Sequence, residues 1–125
     1  MHEEKRTLSP EWKNCIDVCF RCAEICETCS DDMIGMPAHG DTLLMERCIR
    51  LCRECADMCM MAAQWMSRVS PLSERLCRLC AEIGDLCATA CEENAPQHAL
   101  CGPCAVQCRQ CAELCRGLSP TAKAA

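Results

Sequence analysis

Cysteine is the residue type that could do chemistry in this sequence, with 18 copies in 125 residues. A thiol can form a disulfide, act as a nucleophile or bind a soft metal ion as the thiolate. The cysteines fall into four clusters, in which the gaps are mostly three or four residues. They are Cys15, Cys19, Cys22, Cys26 and Cys29; Cys48, Cys52, Cys55 and Cys59; Cys77, Cys80, Cys87 and Cys91; and Cys101, Cys104, Cys108, Cys111 and Cys115.

The spacing within the clusters predicts helices. Gaps that alternate between three and four average 3.5 residues, the heptad period that keeps a stripe of side chains on one helix face. We therefore expect one helix for each cluster, with its cysteines turned toward a shared axis. The short connections favour antiparallel neighbours, so the predicted fold is an all-α, antiparallel, up-down-up-down four-helix bundle with a cysteine-lined core.

Local start and stop signals divide the chain into these helices. Ser9 before Pro10, Asp41, and Ser70 before Pro71 are predicted helix starts. The prediction is one domain over 1–125, with helices at about 10–34, 42–68, 71–94 and 96–118. Pro103 falls inside the fourth of these, so that helix should either kink or begin with a separate turn.

Antiparallel reading of the four clusters stacks the cysteines in layers across the bundle. The predicted layers are Cys15, Cys59, Cys77 and Cys115; Cys19, Cys55, Cys80 and Cys111; Cys22, Cys52, Gly84 and Cys108; Cys26, Cys48, Cys87 and Cys104; and Cys29, Met45, Cys91 and Cys101. In this prediction, Gly84 and Met45 occupy the only two places without a cysteine.

The charge of a thiolate core selects the kind of metal. Soft thiolates bind Cu(I), zinc or iron–sulfur clusters, but zinc takes closed sets of four ligands and iron–sulfur runs have characteristic loop spacings. A low-dielectric core cannot hold 18 uncompensated negative charges. Monovalent ions would neutralise the thiolates one for one, which predicts Cu(I) as the cargo, on the order of 18 ions per chain.

Other functions have less support in the sequence. An iron–sulfur or other electron-transfer metalloprotein is the alternative interpretation. We expect no enzyme activity, because no catalytic constellation is recognisable and a redox enzyme needs one exposed low-pKa thiol rather than many buried ones. The formal net charge of -5 makes nucleic acid an unexpected partner. The polar N-terminal segment and the lack of a long apolar run predict a cytoplasmic protein that does not enter the membrane, in a compartment where thiols stay reduced.

The repeated Cys-x-x-x-Cys-x-x-Cys pattern, for example at Cys15, Cys19 and Cys22, resembles the bacterial copper storage proteins over residues 10–118. The resemblance is to their cytosolic branch. It implies a four-helix bundle that assembles as a homotetramer and stores many Cu(I) ions in its core. A candidate apolar stripe for subunit contact, which could equally pack inside the bundle, comprises Leu44, Leu51, Met58 and Trp65.

The two ends of the predicted bundle differ in chemistry. The plug end gathers Trp12, Met66, Leu72, Leu76 and Leu118, which are bulky and apolar. The entrance end carries thioether and imidazole groups, which are neutral Cu(I) ligands weaker than thiolate. We expect copper to enter there, past His98, Met45, Met33, Met36 and His39.

Overall fold

The computed structural model describes residues 8–37 and 41–120. This part of the chain forms four α-helices: α1 (Pro10–Met33), α2 (Thr42–Ser67), α3 (Ser73–Asn94) and α4 (Cys101–Arg116). Helix α1 packs against α2 and α4, and α3 packs against the same two helices. The sulfur of Cys15 contacts that of Cys115, whereas Cys29 contacts Cys101, so α1 and α4 run antiparallel. The predicted antiparallel four-helix bundle is confirmed.

Two of the predicted helix starts are made by the expected capping side chains. The Ser9 hydroxyl accepts a hydrogen bond from the backbone N–H of Trp12, and the Asp41 carboxylate accepts one from Leu43. Each satisfies a backbone donor that has no partner within the helix. Helix α1 ends just before Gly35, whose φ of 86° is the left-handed conformation that glycine adopts without a Cβ clash.

Helix α4 begins at Cys101, five residues later than the predicted start at 96. The preceding residues form turns in which the N–H groups of Gln97 and His98 both donate to the Asn94 carbonyl. Pro103 therefore lies in the first turn of α4, where its missing N–H costs no helical hydrogen bond. Of the two predicted consequences of Pro103, the separate turn is the one that the structure contains.

The plug end packs largely as predicted. Trp12 is almost fully buried and its indole N–H donates to the Ser119 carbonyl over 2.9 Å. Met66 and Leu118 are also buried, but Leu72 is 41% exposed, so its predicted place in the plug is wrong. Leu72 lies directly before α3, outside the bundle's inner face. Within the two described ranges, no helix combines the length and apolarity that crossing a membrane requires.

Candidate metal centre

All eighteen cysteines are buried and none is in a disulfide. Contacting sulfurs lie between 3.5 Å (Cys26 to Cys108) and 4.0 Å (Cys22 to Cys55) apart, well beyond the bond length of about 2.05 Å in a disulfide. The sulfurs follow one another along the bundle axis, and we call this set of eighteen the thiol column. A column of free thiols at close spacing is a continuous array of soft metal ligands.

The contacts between α1 and α4 have the predicted register at every level. Sulfur–sulfur distances are 3.8 Å for Cys15–Cys115, 3.7 Å for Cys19–Cys111, 3.8 Å for Cys22–Cys108, 3.7 Å for Cys26–Cys104 and 3.7 Å for Cys29–Cys101. The two helices carry the same alternation of gaps in opposite directions, so one alignment pairs all ten thiols.

Helix α2 does not have the predicted register, because it is displaced by one turn. Cys59 was expected beside Cys77 but contacts Cys80 at 3.6 Å. Two further contacts of 3.6 Å, Cys87 with Cys52 and Cys91 with Cys48, show the same displacement. The predicted pairs of Cys55 with Cys80, Cys48 with Cys87 and Met45 with Cys91 are therefore wrong.

A heptad stripe explains why the sequence could not fix this register. Sliding a helix by one turn leaves its stripe facing the axis, so spacing alone allows either alignment. The observed layers are Cys15, Cys77 and Cys115; Cys19, Cys59, Cys80 and Cys111; Cys22, Cys55, Gly84 and Cys108; Cys26, Cys52, Cys87 and Cys104; and Cys29, Cys48, Cys91 and Cys101. Met45 is half-buried and leaves the last layer to four cysteines.

Gly84 occupies a ligand position because two helices approach closely there. A Cβ built on Gly84 would lie 3.3 Å from the Cβ of Ala112 and 3.3 Å from the carbonyl oxygen of Cys108. These separations are tighter than ordinary van der Waals contact, so a side chain at this position would push α3 away from α4. The layer of Cys22, Cys55 and Cys108 consequently has three thiols.

The sulfurs form overlapping groups rather than separate four-ligand sets. Groups whose sulfurs all lie within 4.8 Å of one another include Cys19, Cys80, Cys111 and Cys115; Cys22, Cys26, Cys55 and Cys108; Cys26, Cys87, Cys104 and Cys108; and Cys29, Cys52, Cys91 and Cys104. Cys26, Cys104 and Cys108 each belong to two of these groups. Shared sulfurs suit bridging thiolates, whereas zinc sites and iron–sulfur clusters use ligand sets of their own.

The thiols of the column hold their protons unequally. Hydrogen bonding with Cys104 and Cys108, together with burial, raises the pKa of the Cys26 thiol far above its usual value. Hydrogen bonds from Cys108 and Cys26 lower the pKa of Cys104, because they stabilise its thiolate. A metal ion that binds Cys26 must therefore displace a proton near neutral pH.

The predicted entrance residues lie in different environments. Met33 is fully buried, and its thioether sulfur accepts a hydrogen bond from the Cys101 thiol at 3.8 Å. His98 is 4% exposed, and its Nδ1 atom has no hydrogen-bond partner within the described ranges. Met45 is half-buried and Met36 is 42% exposed. His39 lies outside the described residues.

The Met66 sulfur, which the sequence assigned only to apolar packing at the plug end, contacts the thiol column. The Met66 thioether accepts a hydrogen bond from the Cys77 thiol at 3.6 Å. Met66 comes seven residues after Cys59, one full heptad along the cysteine stripe. That spacing could have identified it, but only with the correct register of α2.

Comparison with known proteins agrees with this geometry. The family described as copper storage protein matches residues 9–120. Cu(I)-bound copper storage protein BsCsp3 is 36% identical, with a TM-score of 0.76, over 85% of this chain and 95% of the other. The apo form of copper storage protein 3 from Bacillus subtilis is 36% identical, with a TM-score of 0.73, over 83% and 94% of the two chains.

A third similar structure comes from Streptomyces lividans. It shows copper loading to a cytosolic copper storage protein that is 30% identical, with a TM-score of 0.79, over 87% of this chain and 95% of that one. The search of curated proteins found no match.

Proposed function

The chain belongs to the copper storage protein family, and from that premise we propose that its thiol column stores Cu(I) as cargo, on the order of 18 ions per chain. The observation that carries this capacity is the sharing of sulfurs between neighbouring groups, for example Cys26 and Cys108. If each thiolate bridges two ions, the number of two-coordinate ions equals the number of thiolates.

The distances in the column suit this coordination. With metal–sulfur bonds of about 2.3 Å, sulfurs lie about 4.6 Å apart across a linear ion and about 4.0 Å apart around a trigonal one. The observed contacts of 3.5 to 4.0 Å are close to the trigonal spacing, and the sulfurs must separate by about 0.6–1.1 Å to hold a linear ion. The larger groups, whose sulfurs lie within 4.8 Å of one another, also include the linear spacing. Each ion that enters replaces about one proton, so the core stays close to neutral.

Anaerobic titration with Cu(I) in the presence of a competing chelator tests the proposed capacity. Free thiols are counted in parallel on the same sample. Metal uptake that continues until the copper count approaches the thiol count supports the proposal. Saturation at a few ions per chain, with most thiols still free, would overturn it.

The same proposal includes a metal entrance at the end that carries His98. This imidazole is buried, and its Nδ1 has no hydrogen-bond partner in the part of the chain that the structure describes. Met33 already contacts the first thiol of α4. These are neutral ligands that can pass an ion to a stronger thiolate. Met45, Met36 and His39 are the other candidates for the same path.

Copper uptake followed by stopped flow tests the entrance. His98→Asn with Met45→Leu should slow uptake while the final copper count stays unchanged, because the thiol column is intact. Met60→Leu on the outer face of α2, where Met60 is 39% exposed, is the matched control and should load at the normal rate. Unchanged kinetics in the double variant would remove the entrance assignment.

The remaining parts of the proposal concern assembly and place of action. We infer a homotetramer, which the family resemblance implies, and a cytoplasmic location, supported by the similar cytosolic protein from Streptomyces lividans. Leu43, Leu79 and Leu86 are exposed on α2 and α3 and offer an apolar face for subunit contact. We also propose that the protein is not a catalyst, because buried thiols have little access to substrates. Cell fractionation tests the location.

A further inference from the structure

The thiol column ends at the plug end in a layer to which α2 contributes no cysteine. This layer contains Cys15, Cys77 and Cys115. On α2 the next buried residue toward this end that carries a donor atom is Met66, whose side chain is fully buried. The Met66 sulfur lies 3.6 Å from the sulfur of Cys77.

From this geometry we propose that Met66 is a Cu(I) ligand, completing with Cys15, Cys77 and Cys115 a mixed thiolate–thioether site at the plug end. The inference rests on the proposed storage of Cu(I) in the column. Thioether sulfur is a soft ligand of the kind that selects Cu(I). It is also neutral, so it adds a sulfur ligand to the thiolates of this layer without adding negative charge to an apolar part of the core.

The distance between the two sulfurs fits a shared ion. A three-coordinate Cu(I) held by Met66, Cys77 and one other thiolate of this layer, with bonds of about 2.3 Å, needs sulfurs about 4.0 Å apart. The separation of 3.6 Å between Met66 and Cys77 reaches this value with a shift of a few tenths of an ångström. Methionine has three flexible side-chain torsions and can make that adjustment inside a packed core.

Two further observations separate Met66 from a methionine that only fills space. Met33 contacts Cys101 in the same way at the entrance end, so both ends of the column finish in a thioether. Ser73 lies one turn before Cys77 on the same face of α3, and its buried hydroxyl has no hydrogen-bond partner among the described residues. A hydroxyl at that spacing can donate to a Cys77 thiolate when the metal displaces the proton.

Selenium-edge X-ray absorption on selenomethionine-labelled, copper-loaded protein tests the site. A Met33→Leu background removes the contribution of the thioether that contacts Cys101 at the entrance end. Any scattering from Met36 and Met45 is the same in all variants and cancels in the comparison. In this background, Met66→Leu is expected to reduce copper–selenium scattering. The proposal places the selenium of residue 66 in a bond with copper, and leucine removes that selenium. Leucine has a similar volume, so the plug stays packed. Met58→Leu, half-buried on the same helix but off the cysteine stripe, is the matched control and should leave the scattering unchanged.

Copper counts on the same samples distinguish failure of the Met66 site from failure of the proposed Cu(I) storage. Equal copper–selenium scattering with and without Met66, in protein that holds many copper ions, would overturn the Met66 site and leave storage intact. Protein that takes up only a few copper ions would overturn storage and the Met66 site together.

Discussion

A cysteine in the core can bind a metal but packs less well than a larger apolar residue. Its side chain buries less apolar surface than leucine or isoleucine, so a core made largely of cysteine gains less from the hydrophobic effect. The neighbouring buried side chains are correspondingly small, among them Ala62, Ala63 and Ala112. The helices can then approach one another closely enough for their sulfurs to share an ion.

Gly84 is the residue at which this close approach is most sensitive. Gly84→Ala should leave the apo protein about 1–3 kcal/mol less stable than Gly102→Ala does, because the Cβ at residue 84 would press on Ala112 and on the backbone of Cys108. The measurement is chemical denaturation under reducing conditions.

Gly102→Ala is the matched control, since a Cβ there would meet nothing within 4 Å. Alanine in place of this helical glycine should be neutral or stabilising, by up to about 1 kcal/mol. Equal stability of the Gly84→Ala and Gly102→Ala variants would contradict the close approach of α3 and α4.

At the scale of the helices, the register of α2 determines which thiols can share an ion. In solution the structure predicts observable nuclear Overhauser effects between the side chains of Cys59 and Cys80, because their sulfurs are 3.6 Å apart. Contacts of Cys59 with Cys77 should be weak or absent. Strong effects between Cys59 and Cys77, with none between Cys59 and Cys80, would instead support the α2 register predicted from the sequence.

The sequence predicted the helices and their inner faces because cysteine spacing encodes a helical period directly. It also predicted the pairing of α1 with α4, where the gap patterns match in opposite directions. It could not predict the register of α2, because a heptad stripe looks the same after a slide of one turn. The late start of α4 was similarly hidden, since Pro103 is compatible with either a kink or a first turn.

The repeating α2 stripe also kept the sequence from identifying Met66 as a candidate ligand. Met66 continues the α2 stripe, but the spacing alone gave it no thiol partner until the register placed it beside Cys77. The sequence showed that Gly84 takes a cysteine position in the column. It could not show why, because the reason is the close approach of the α4 backbone in the folded protein.

At the scale of the whole molecule, the outer faces of α2 and α3 retain exposed apolar side chains. Leu43, Leu51 and Leu86 line a groove of about 440 Å³ together with four charged side chains of α2, and Leu43 is 72% exposed. The charged residues are Glu46, Arg47, Arg50 and Glu54. The four residues of the candidate contact stripe, Leu44, Leu51, Met58 and Trp65, are each half-buried within the single chain. They leave part of their surface for a neighbouring subunit.

This surface makes the proposed tetramer testable by sedimentation. Leu86→Glu should shift the protein toward smaller species, because a charge in an apolar interface costs several kcal/mol. Val106→Glu is the matched control on α4, where Val106 is 71% exposed. Dissociation by the control and not by Leu86→Glu would move the subunit contact to another face.

The central claim is that monovalent ions replace the protons of the thiol column one for one. Anaerobic loading in weakly buffered solution measures both quantities on one sample, because native mass spectrometry counts the bound copper ions and a pH indicator counts the protons that they release into solution. The account predicts on the order of 18 copper ions per chain, each with the loss of about one proton. A few ions per chain, or many ions bound without matching proton loss, would contradict it.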